Sequence, residues 1–361
     1  MSKLKKELNL YGLTMIVIGA VIGSGIFRVP SLVAESLNNH LLIILVWVLG
    51  GIIALTGALT FSELGGMFPK AGGVYVFLKE AYGSLVGFLY GWVILLVITT
   101  GALAALGMVF ADFMTTFIAL SDIGKKGLAI TVIVLLTLIN TIGVNVTQIF
   151  ANIFTGLKLL AIVAIILIGF FFQNPDVSLN FSMDNAPDNL MTAMFAGLVG
   201  VLWSIGGWHH ASYVASETIN AQRTVPRAMV IGVTIIMTVY VLVNFAFLFL
   251  LPLPEIIESK KVAGDAIASV GAIPYGGELV AIAIALSIFG TIGIYTMTAP
   301  RIYFAMAKDG VFFKKLAYVH PKYKTPVYAM LLQMVWACIL VLFWGSFGKL
   351  IEYVVLWILR L

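Results

Sequence analysis

Long apolar segments follow one another along almost the whole chain, and only short polar segments separate them. A helix needs about 20 apolar residues to cross a hydrocarbon core of ~30 Å. By that measure the pattern predicts nine spans and no soluble domain between them. The predicted spans cover residues 9–36, 41–66, 83–110, 127–146, 149–172, 189–218, 228–251, 277–304 and 326–345.

A further apolar segment, Leu350 to Leu361, follows the ninth span. At 1.5 Å per residue it forms a helix of about 18 Å, which is too short to cross. The pattern therefore predicts an all-α polytopic membrane protein, one transmembrane domain over residues 1–361, with about nine full helices and part of a tenth.

Glycines interrupt two of these spans. Gly23-Ser24-Gly25 falls in the first span, and Gly206 and Gly207 fall in the sixth. Each interruption frees backbone N–H and C=O groups at membrane depth, where only protein or water in a cavity can satisfy them. Paired breaks of this kind indicate a substrate site near the middle of the membrane.

The spacing of the two breaks predicts inverted repeats. Five spans separate equivalent positions, so the second half of the chain starts from the opposite face of the membrane. The first repeat covers about 9–172, and the second covers about 189–361 and is incomplete.

The first break has donors at one end and acceptors at the other. Backbone amides around Ser24 and Gly25 open the following half-helix, and such an end attracts anions. The carbonyls freed near Val21 are acceptors that suit a cationic group. The site therefore fits a zwitterion, which carries both charges. The alternative is that Gly23 and Gly25 only permit close helix packing.

The second break supplies further acceptors. The carbonyls of Trp203, Ser204 and Gly206 are candidates to bind a substrate ammonium group, and the Trp203 ring is a candidate to close over the ligand. Trp208 is a further candidate for gating or selectivity. Both Trp203 and Trp208 have packing as the alternative interpretation, because aromatic residues are common in spans.

Three of the ionisable residues inside predicted spans are considered as functional candidates. His209 and His210 are adjacent, so on a helix they point about 100° apart, and a metal site is not expected. An effect of pH through them stays open. Lys158 lies in the inner part of the fifth span, where an ammonium is costly and usually functional, unless it extends to the interface.

Charge and cysteine content narrow the function classes. Hydrophobic residues make up 61% and charged residues 10%, against about 25% charged in a soluble domain. The net charge of +5 is scattered over short loops, which indicates membrane lipid and not nucleic acid as its partner.

Fourteen basic residues fall on the side of the N-terminus and six on the other, which predicts a cytoplasmic N-terminus. Cys338 is the only cysteine, which excludes an intrachain disulfide.

Two carboxylates near the cytoplasmic ends of spans are predicted to form structural ion pairs. These are Glu63 and Glu217, and Arg223 or Arg227 is the expected partner of Glu217. No predicted span gathers residues at catalytic spacing, so neither an enzyme nor a cofactor is expected.

Five segments together resemble the amino acid–polyamine–organocation superfamily, and within it the L-type amino acid transporters and their bacterial relatives. The segments are Gly23 to Phe27 (GSGIF), Glu63 to Gly73 (ELGGMFPKAGG), Trp203 to Trp208, Glu217 to Arg227 (ETINAQRTVPR), and Pro300 to Gly310 (PRIYFAMAKDG) with His320-Pro321. The resemblance extends over nearly the whole chain.

This resemblance implies the leucine-transporter fold, with five plus five inverted helices and two more, in a plasma-membrane protein. It also implies sodium-independent exchange, or proton-linked movement, of neutral amino acids by alternating access. The family's carboxylate-binding serine-glycine pair matches Ser24 and Gly25, next to Gly23, which is also a candidate for the substrate site. Its ammonium-binding carbonyls match Val21, Trp203, Ser204 and Gly206. Its gating aromatic matches Trp203, and the lysine that replaces a sodium ion matches Lys158.

The chain departs from the family pattern in three places. His209 stands where relatives often have a small amide, which makes it a candidate for selectivity. The loop at 111–126 lacks the cysteine that joins some relatives to a heavy chain, so no disulfide-linked heavy chain is expected. Relatives usually have twelve spans, so the alternative function is a truncated or inactive member that binds amino acids without moving them.

Overall fold

The computed structural model of the protein describes residues 4–183, 186–271 and 273–344. Within these residues the chain is built almost entirely from α-helices, numbered here in chain order. They are α1 (Leu10–Val21), α2 (Gly25–Leu37), α3 (His40–Met67), α4 (Val74–Tyr82), α5 (Ser84–Val93), α6 (Thr99–Met114), α7 (Asp122–Thr141), α8 (Val144–Phe171), α9 (Leu190–Ile205), α10 (His210–Tyr213), α11 (Ala221–Leu250), α12 (Leu253–Glu258), α13 (Val262–Ala268), α14 (Gly276–Thr298), α15 (Pro300–Lys308) and α16 (Val327–Trp344).

Seven segments of the described chain are long and apolar enough to cross a membrane. They are His40–Met67, Ser84–Met114, Val144–Phe171, Leu190–Tyr213, Ala221–Leu250, Gly276–Lys308 and Val327–Trp344. Helices α1 and α2, bent by 44° at their break, make an eighth. The prediction of an all-α polytopic membrane protein is confirmed, and the partial helix predicted over Leu350 to Leu361 lies outside the described residues.

The span predicted over 127–146 differs most from the structure. Helix α7 begins earlier, at Asp122, where the Ser121 hydroxyl accepts a hydrogen bond from the Gly124 amide at 3.2 Å. It ends at Thr141, because Gly143 has a φ of 144° that breaks the helix before α8. Helix α7 carries Asp122, Lys125 and Lys126 in its first turns, and it is not among the eight.

Helices α11 and α14 form the centre of the bundle. Helix α11 packs against α3, α1 and α8, and α14 packs against α8, α6, α7 and α1. Helix α1 is therefore enclosed by α8, α11 and α14, whereas α2 packs against α9. This arrangement brings the two breaks side by side.

The end of the bundle that carries the N-terminus is joined by backbone pairing. The amides of Glu7 and Leu8 donate to the Glu217 carbonyl at 2.9 and 3.0 Å, and the Ile219 amide donates to the Leu8 carbonyl at 2.9 Å. The chain before α1 is thereby fixed to the chain between α10 and α11.

Glu217 has a partner different from the predicted ones. Its carboxylate is fully buried and accepts from Arg301 Nε and Nη2, each at 2.8 Å. Helix α11 starts at Ala221, so Arg223 and Arg227 lie in its first two turns and are exposed. The ion-pair prediction for Glu217 is right in kind and wrong in partner, because the helix carries both arginines away from the carboxylate.

Candidate functional site

A cavity of about 270 Å³ lies between the two breaks. Its lining includes every residue predicted to bind substrate, namely Val21, Gly23, Ser24, Gly25, Trp203, Ser204 and Gly206, together with His209. Residues of two segments far apart in sequence, 20–25 and 202–210, therefore contribute to the wall of one cavity. Trp208 and Lys158 do not line it.

The first break separates α1 from α2 by three residues. Helix α1 ends at Val21, whose carbonyl accepts from the Gly23 amide at 2.8 Å, and α2 begins at Gly25. The first amides of a helix have no partner inside it, and they carry the positive end of the helix dipole. The first amides of α2 lie at the wall of the cavity.

The second break follows α9, which ends at Ile205. Gly207 then adopts a φ of 116°, and a Cβ there would lie 2.8 Å from the Ala20 carbonyl oxygen, so glycine is required by both conformation and space. The carbonyl of Trp203 accepts from the Gly206 amide at 3.3 Å. The inner half of this span is short, because α10 has only four residues.

A tyrosine and a serine join the two breaks. The Tyr240 hydroxyl of α11 lies 3.5 Å from the Val21 carbonyl oxygen and 3.4 Å from that of Ser204. The Ser204 hydroxyl oxygen is buried and has no hydrogen-bond partner among the described residues. An unpartnered buried hydroxyl at the cavity is a group that a ligand can satisfy.

Lys158 lies behind the first break, 1% exposed. Its ammonium donates to the carbonyls of Gly19 at 3.1 Å and Ile22 at 2.7 Å, and to Thr291 Oγ1 at 2.9 Å. The side chain therefore does not extend to the interface. It places a positive charge at the C-terminal end of α1, where the helix dipole is negative.

The wall opposite the breaks comes from the third span and is mainly apolar. Ile94, Ile98, Ala102, Ala105 and Leu106 line it. The helix widens to a π-helical turn over Ile94–Ile98, a feature frequent at functional sites. Among the described residues that line the cavity, none is Asp, Glu, Lys or Arg.

The inner wall is aromatic. His210 shares a hydrogen bond of 2.6 Å with Thr298 through Nδ1, and its ring stacks on Tyr295 at 4.3 Å. The His209 ring packs edge-to-face against Tyr213, with the ring centroids 5.5 Å apart. Both histidines border the cavity, and within the described chain no three of His, Cys, Asp and Glu gather as metal ligands would.

The two tryptophans have different surroundings. Trp208 packs edge-to-face on Phe61 at 5.2 Å, which supports its packing interpretation. Trp203 is 48% exposed and lines both the central cavity and a second cavity of about 600 Å³ between α2 and α9. Ser24 and Gly25 also border both cavities, so Trp203 stands where a ligand would pass between them.

Sequence reasoning missed the residues that support the breaks from neighbouring helices. These are Tyr240 on α11 and Ser287, Thr291 and Tyr295 on α14. The last three recur every four residues within an apolar span, which places them on one face of the helix. This four-residue spacing of polar residues is the sequence signal that could have identified them.

Gly25→Ala is expected to weaken amino acid binding at least tenfold. A Cβ at Gly25 would lie 2.8 Å from Ser204 Oγ and 3.1 Å from Ser204 Cα, so α2 must move away from the second break. Equilibrium binding of a labelled amino acid to the purified variant measures the effect. Gly127→Ala is the control, because nothing lies within 4 Å of a Cβ there, and equal affinity in both variants would contradict the prediction.

Comparison with known proteins agrees with this architecture. A family model described as "Amino acid permease" matches residues 8–359. The chain is 33% identical over 341 residues to the serine/threonine exchanger SteT of Bacillus subtilis, covering 94% of this chain and 77% of that protein. It is 34% identical over 368 residues to the large neutral amino acids transporter small subunit 2 of Mus musculus, covering 97% and 67%.

A third relative is the Asc-type amino acid transporter 1 of Homo sapiens, 32% identical over 366 residues, covering 97% of this chain and 68% of that protein. These relatives and the matching family are transporters and not enzymes. Because the family match extends over nearly the whole chain, the protein belongs to the amino acid permease family, in the amino acid–polyamine–organocation superfamily.

Proposed function

We propose that the protein is a sodium-independent secondary transporter of neutral amino acids that works by alternating access. The observation that carries this proposal is the cavity between the two breaks, which has a helix N-terminus on one side, backbone carbonyls on the other, and no ionised carboxylate, lysine or arginine among its described lining. Such a site suits a zwitterion whose own charges are satisfied by backbone groups.

The substrate carboxylate is assigned to the start of α2. The amides of Ser24 and Gly25 are the proposed donors, and the Ser24 hydroxyl is a further one. Gly23 borders the same site, but its amide already donates to the Val21 carbonyl at 2.8 Å. A carboxylate held by backbone N–H groups at a helix N-terminus makes charge-assisted hydrogen bonds, which are about twice as strong as neutral ones.

The substrate ammonium is assigned to carbonyls of both breaks, those of Val21, Trp203, Ser204 and Gly206. The oxygens of Trp203 and Ser204 each have one donor within 3.5 Å, and that of Val21 accepts from the Gly23 amide at 2.8 Å and lies 3.5 Å from the Tyr240 hydroxyl. A carbonyl oxygen has two lone pairs, so Trp203 and Ser204 keep capacity for a ligand, and Val21 gains it when the Tyr240 hydroxyl donates to Ser204 instead. The Ser204 hydroxyl is available to either end of the substrate.

Lys158 supports independence from sodium. Its ammonium already uses the Gly19 and Ile22 carbonyls and the Thr291 hydroxyl, and oxygens of this kind are what a hard cation would need. The positive charge of Lys158 and a sodium ion bound by these same oxygens would repel each other.

The substrate side chain is assigned to the apolar wall of the third span, with His209 at its inner edge as a candidate for selectivity. Two relatives are named for serine and threonine and for large neutral amino acids, and both classes are uncharged. We propose that this protein transports such substrates either by exchange or together with a proton.

Alternating access is assigned to the breaks as hinges in two inverted repeats, with Trp203 closing one side. The proposed site of action is the plasma membrane, with the N-terminus in the cytoplasm, as the distribution of basic residues indicates. Cys338 is half-buried in α16, so we propose no disulfide-linked heavy chain.

Uptake of labelled serine and leucine into proteoliposomes tests the function. We expect equal uptake in sodium and choline buffers. Uptake should be stimulated by unlabelled amino acid inside the vesicles or by a proton gradient, and neutral amino acids outside should inhibit it more strongly than arginine does. Protein-free liposomes are the control. Binding without flux, a requirement for sodium, or no competition by any neutral amino acid would contradict the proposal.

A further inference from the structure

A third cavity, of about 650 Å³, lies at the end of the bundle that carries the N-terminus. It is lined by the chain before α1, the loop before α4, α4 itself, Ser216 and α15. None of its described lining residues borders the central cavity. Nothing in the proposed transport mechanism uses it.

Lysines dominate its charge. Four of them line it, Lys6, Lys70, Lys79 and Lys308, against only two carboxylates. The four come from three separate parts of the chain, so the fold and not local sequence gathers them.

The two carboxylates are already engaged. Asp309 Oδ2 accepts from Lys79 Nζ at 2.8 Å and from the Tyr75 hydroxyl at 2.9 Å. The Lys70 ammonium lies 3.3 Å from Glu80 Oε1. Each carboxylate therefore balances one lysine, and neither is left to neutralise the rest.

Two lysines remain in excess. Lys6 and Lys308 have no carboxylate within ion-pair distance among the described residues, and the neighbouring Lys5 is itself paired with Glu7. The lining thus carries a surplus of two positive charges. The Ser216 hydroxyl oxygen, in the same lining, is buried and has no partner among the described residues.

We propose that this cavity binds an anion that bears a phosphate group. A phosphate monoester carries about −1.5 to −2 charges at pH 7 and three acceptor oxygens, which match two unpaired ammonium groups and a free hydroxyl. Lysine binds phosphate as a point charge and does not need a fixed geometry. Free phosphate offers this chemistry in full, and the phosphodiester headgroup of an anionic lipid such as phosphatidylglycerol offers part of it, a single negative charge and two unesterified oxygens. Basic pockets of this kind bind lipid headgroups.

Binding would connect three separate parts of the chain. Lys6 lies on the segment that leads into α1, whereas Lys79 and Lys308 lie on α4 and α15. An anion between them holds the N-terminal segment against the bundle. The backbone bonds of Glu7, Leu8 and Ile219 then open less often, so amide exchange there reports on binding.

Hydrogen exchange of the full chain in nanodiscs tests the proposal. Three samples are compared at equal ionic strength: phosphatidylcholine alone, phosphatidylcholine with inorganic phosphate, and phosphatidylcholine with phosphatidylglycerol. We expect exchange of the Glu7, Leu8 and Ile219 amides to slow about tenfold at a ligand concentration ten times the dissociation constant.

Matched variants locate the effect. Lys6→Gln with Lys308→Gln should abolish the slowing, whereas Lys314→Gln with Lys315→Gln removes the same charge from exposed positions outside the cavity and should retain it. All four lysines are exposed, so both variants should fold. Slowing by phosphatidylglycerol alone identifies a lipid, and slowing by inorganic phosphate identifies a free anion. No slowing with either, or equal loss in both variants, overturns the proposal.

Discussion

Lys158→Met is expected to lower amino acid uptake at least tenfold while the protein stays folded. The ammonium makes three hydrogen bonds of 3.1, 2.7 and 2.9 Å to Gly19, Ile22 and Thr291, and so fixes the end of α1 next to the substrate carbonyls. A hydrogen bond to a charged group contributes about 1.5–3 kcal/mol, and about 1.4 kcal/mol is a factor of ten. Losing one such bond is enough for the expected effect.

The fold should survive because hydroxyl groups of α14 can satisfy the same carbonyls. Thr291 Oγ1 lies 3.1 Å from both the Gly19 and the Ile22 oxygens, and Ser287 Oγ lies 3.1 Å from the Ile22 oxygen. Methionine also has nearly the length of lysine and needs no partner. The variant thus removes the charge and leaves the packing almost unchanged.

Uptake into proteoliposomes and equilibrium binding of the same labelled amino acid measure the result. Lys315→Met is the matched control, because that lysine is exposed and lies outside both cavities. Uptake by Lys158→Met at the rate of the control would show that the buried charge has no part in transport.

The sequence located the two breaks because their signal is local. Glycine at Gly25 and Gly207 answers a requirement of the backbone itself, close approach or an unusual φ, and two such sites in apolar spans are visible without a structure. The structure adds that they face one cavity.

Lys158 was visible as an isolated charge, but its partners were not. Two are backbone carbonyls, which every residue has, and the third belongs to a helix more than 130 residues away. Tyr240 was missed for the same reason, because a single tyrosine in an apolar span does not indicate a function. Only the structure shows that its hydroxyl lies between the carbonyl oxygens of Val21 and Ser204.

Ion pairing shows the same limit. Arg223 and Arg227 are near Glu217 in sequence, yet Arg301 is its partner at a separation of 84 residues. Helix direction decides which side chains meet, and the start of α11 at Ala221 turns the nearby arginines outward. Sequence proximity therefore predicted the need for a cation but not its source.

Glu217→Gln is expected to lower the free energy of unfolding by about 3–5 kcal/mol, the usual cost of leaving one member of a buried ion pair alone. Both side chains are almost fully buried, with 1% of Arg301 and 0% of Glu217 exposed. Arg301 also donates to the Met297 carbonyl, but that bond cannot balance its charge. The backbone bonds from Glu7 and Leu8 to the Glu217 carbonyl do not involve the side chain, so the loss belongs to the ion pair.

Denaturant unfolding in detergent micelles, followed by tryptophan fluorescence, measures the change. The double variant Glu217→Gln with Arg301→Gln should be less destabilised than the sum of the two single variants by at least about 1 kcal/mol, because no unpaired charge remains. Asp112→Asn is the control: it breaks the pair with Lys125, whose side chains are 26% and 47% exposed, and exposed pairs contribute only about 0–1 kcal/mol. If Glu217→Gln costs no more than that control, the buried pair does not stabilise the junction between the N-terminal segment, α10 and α15.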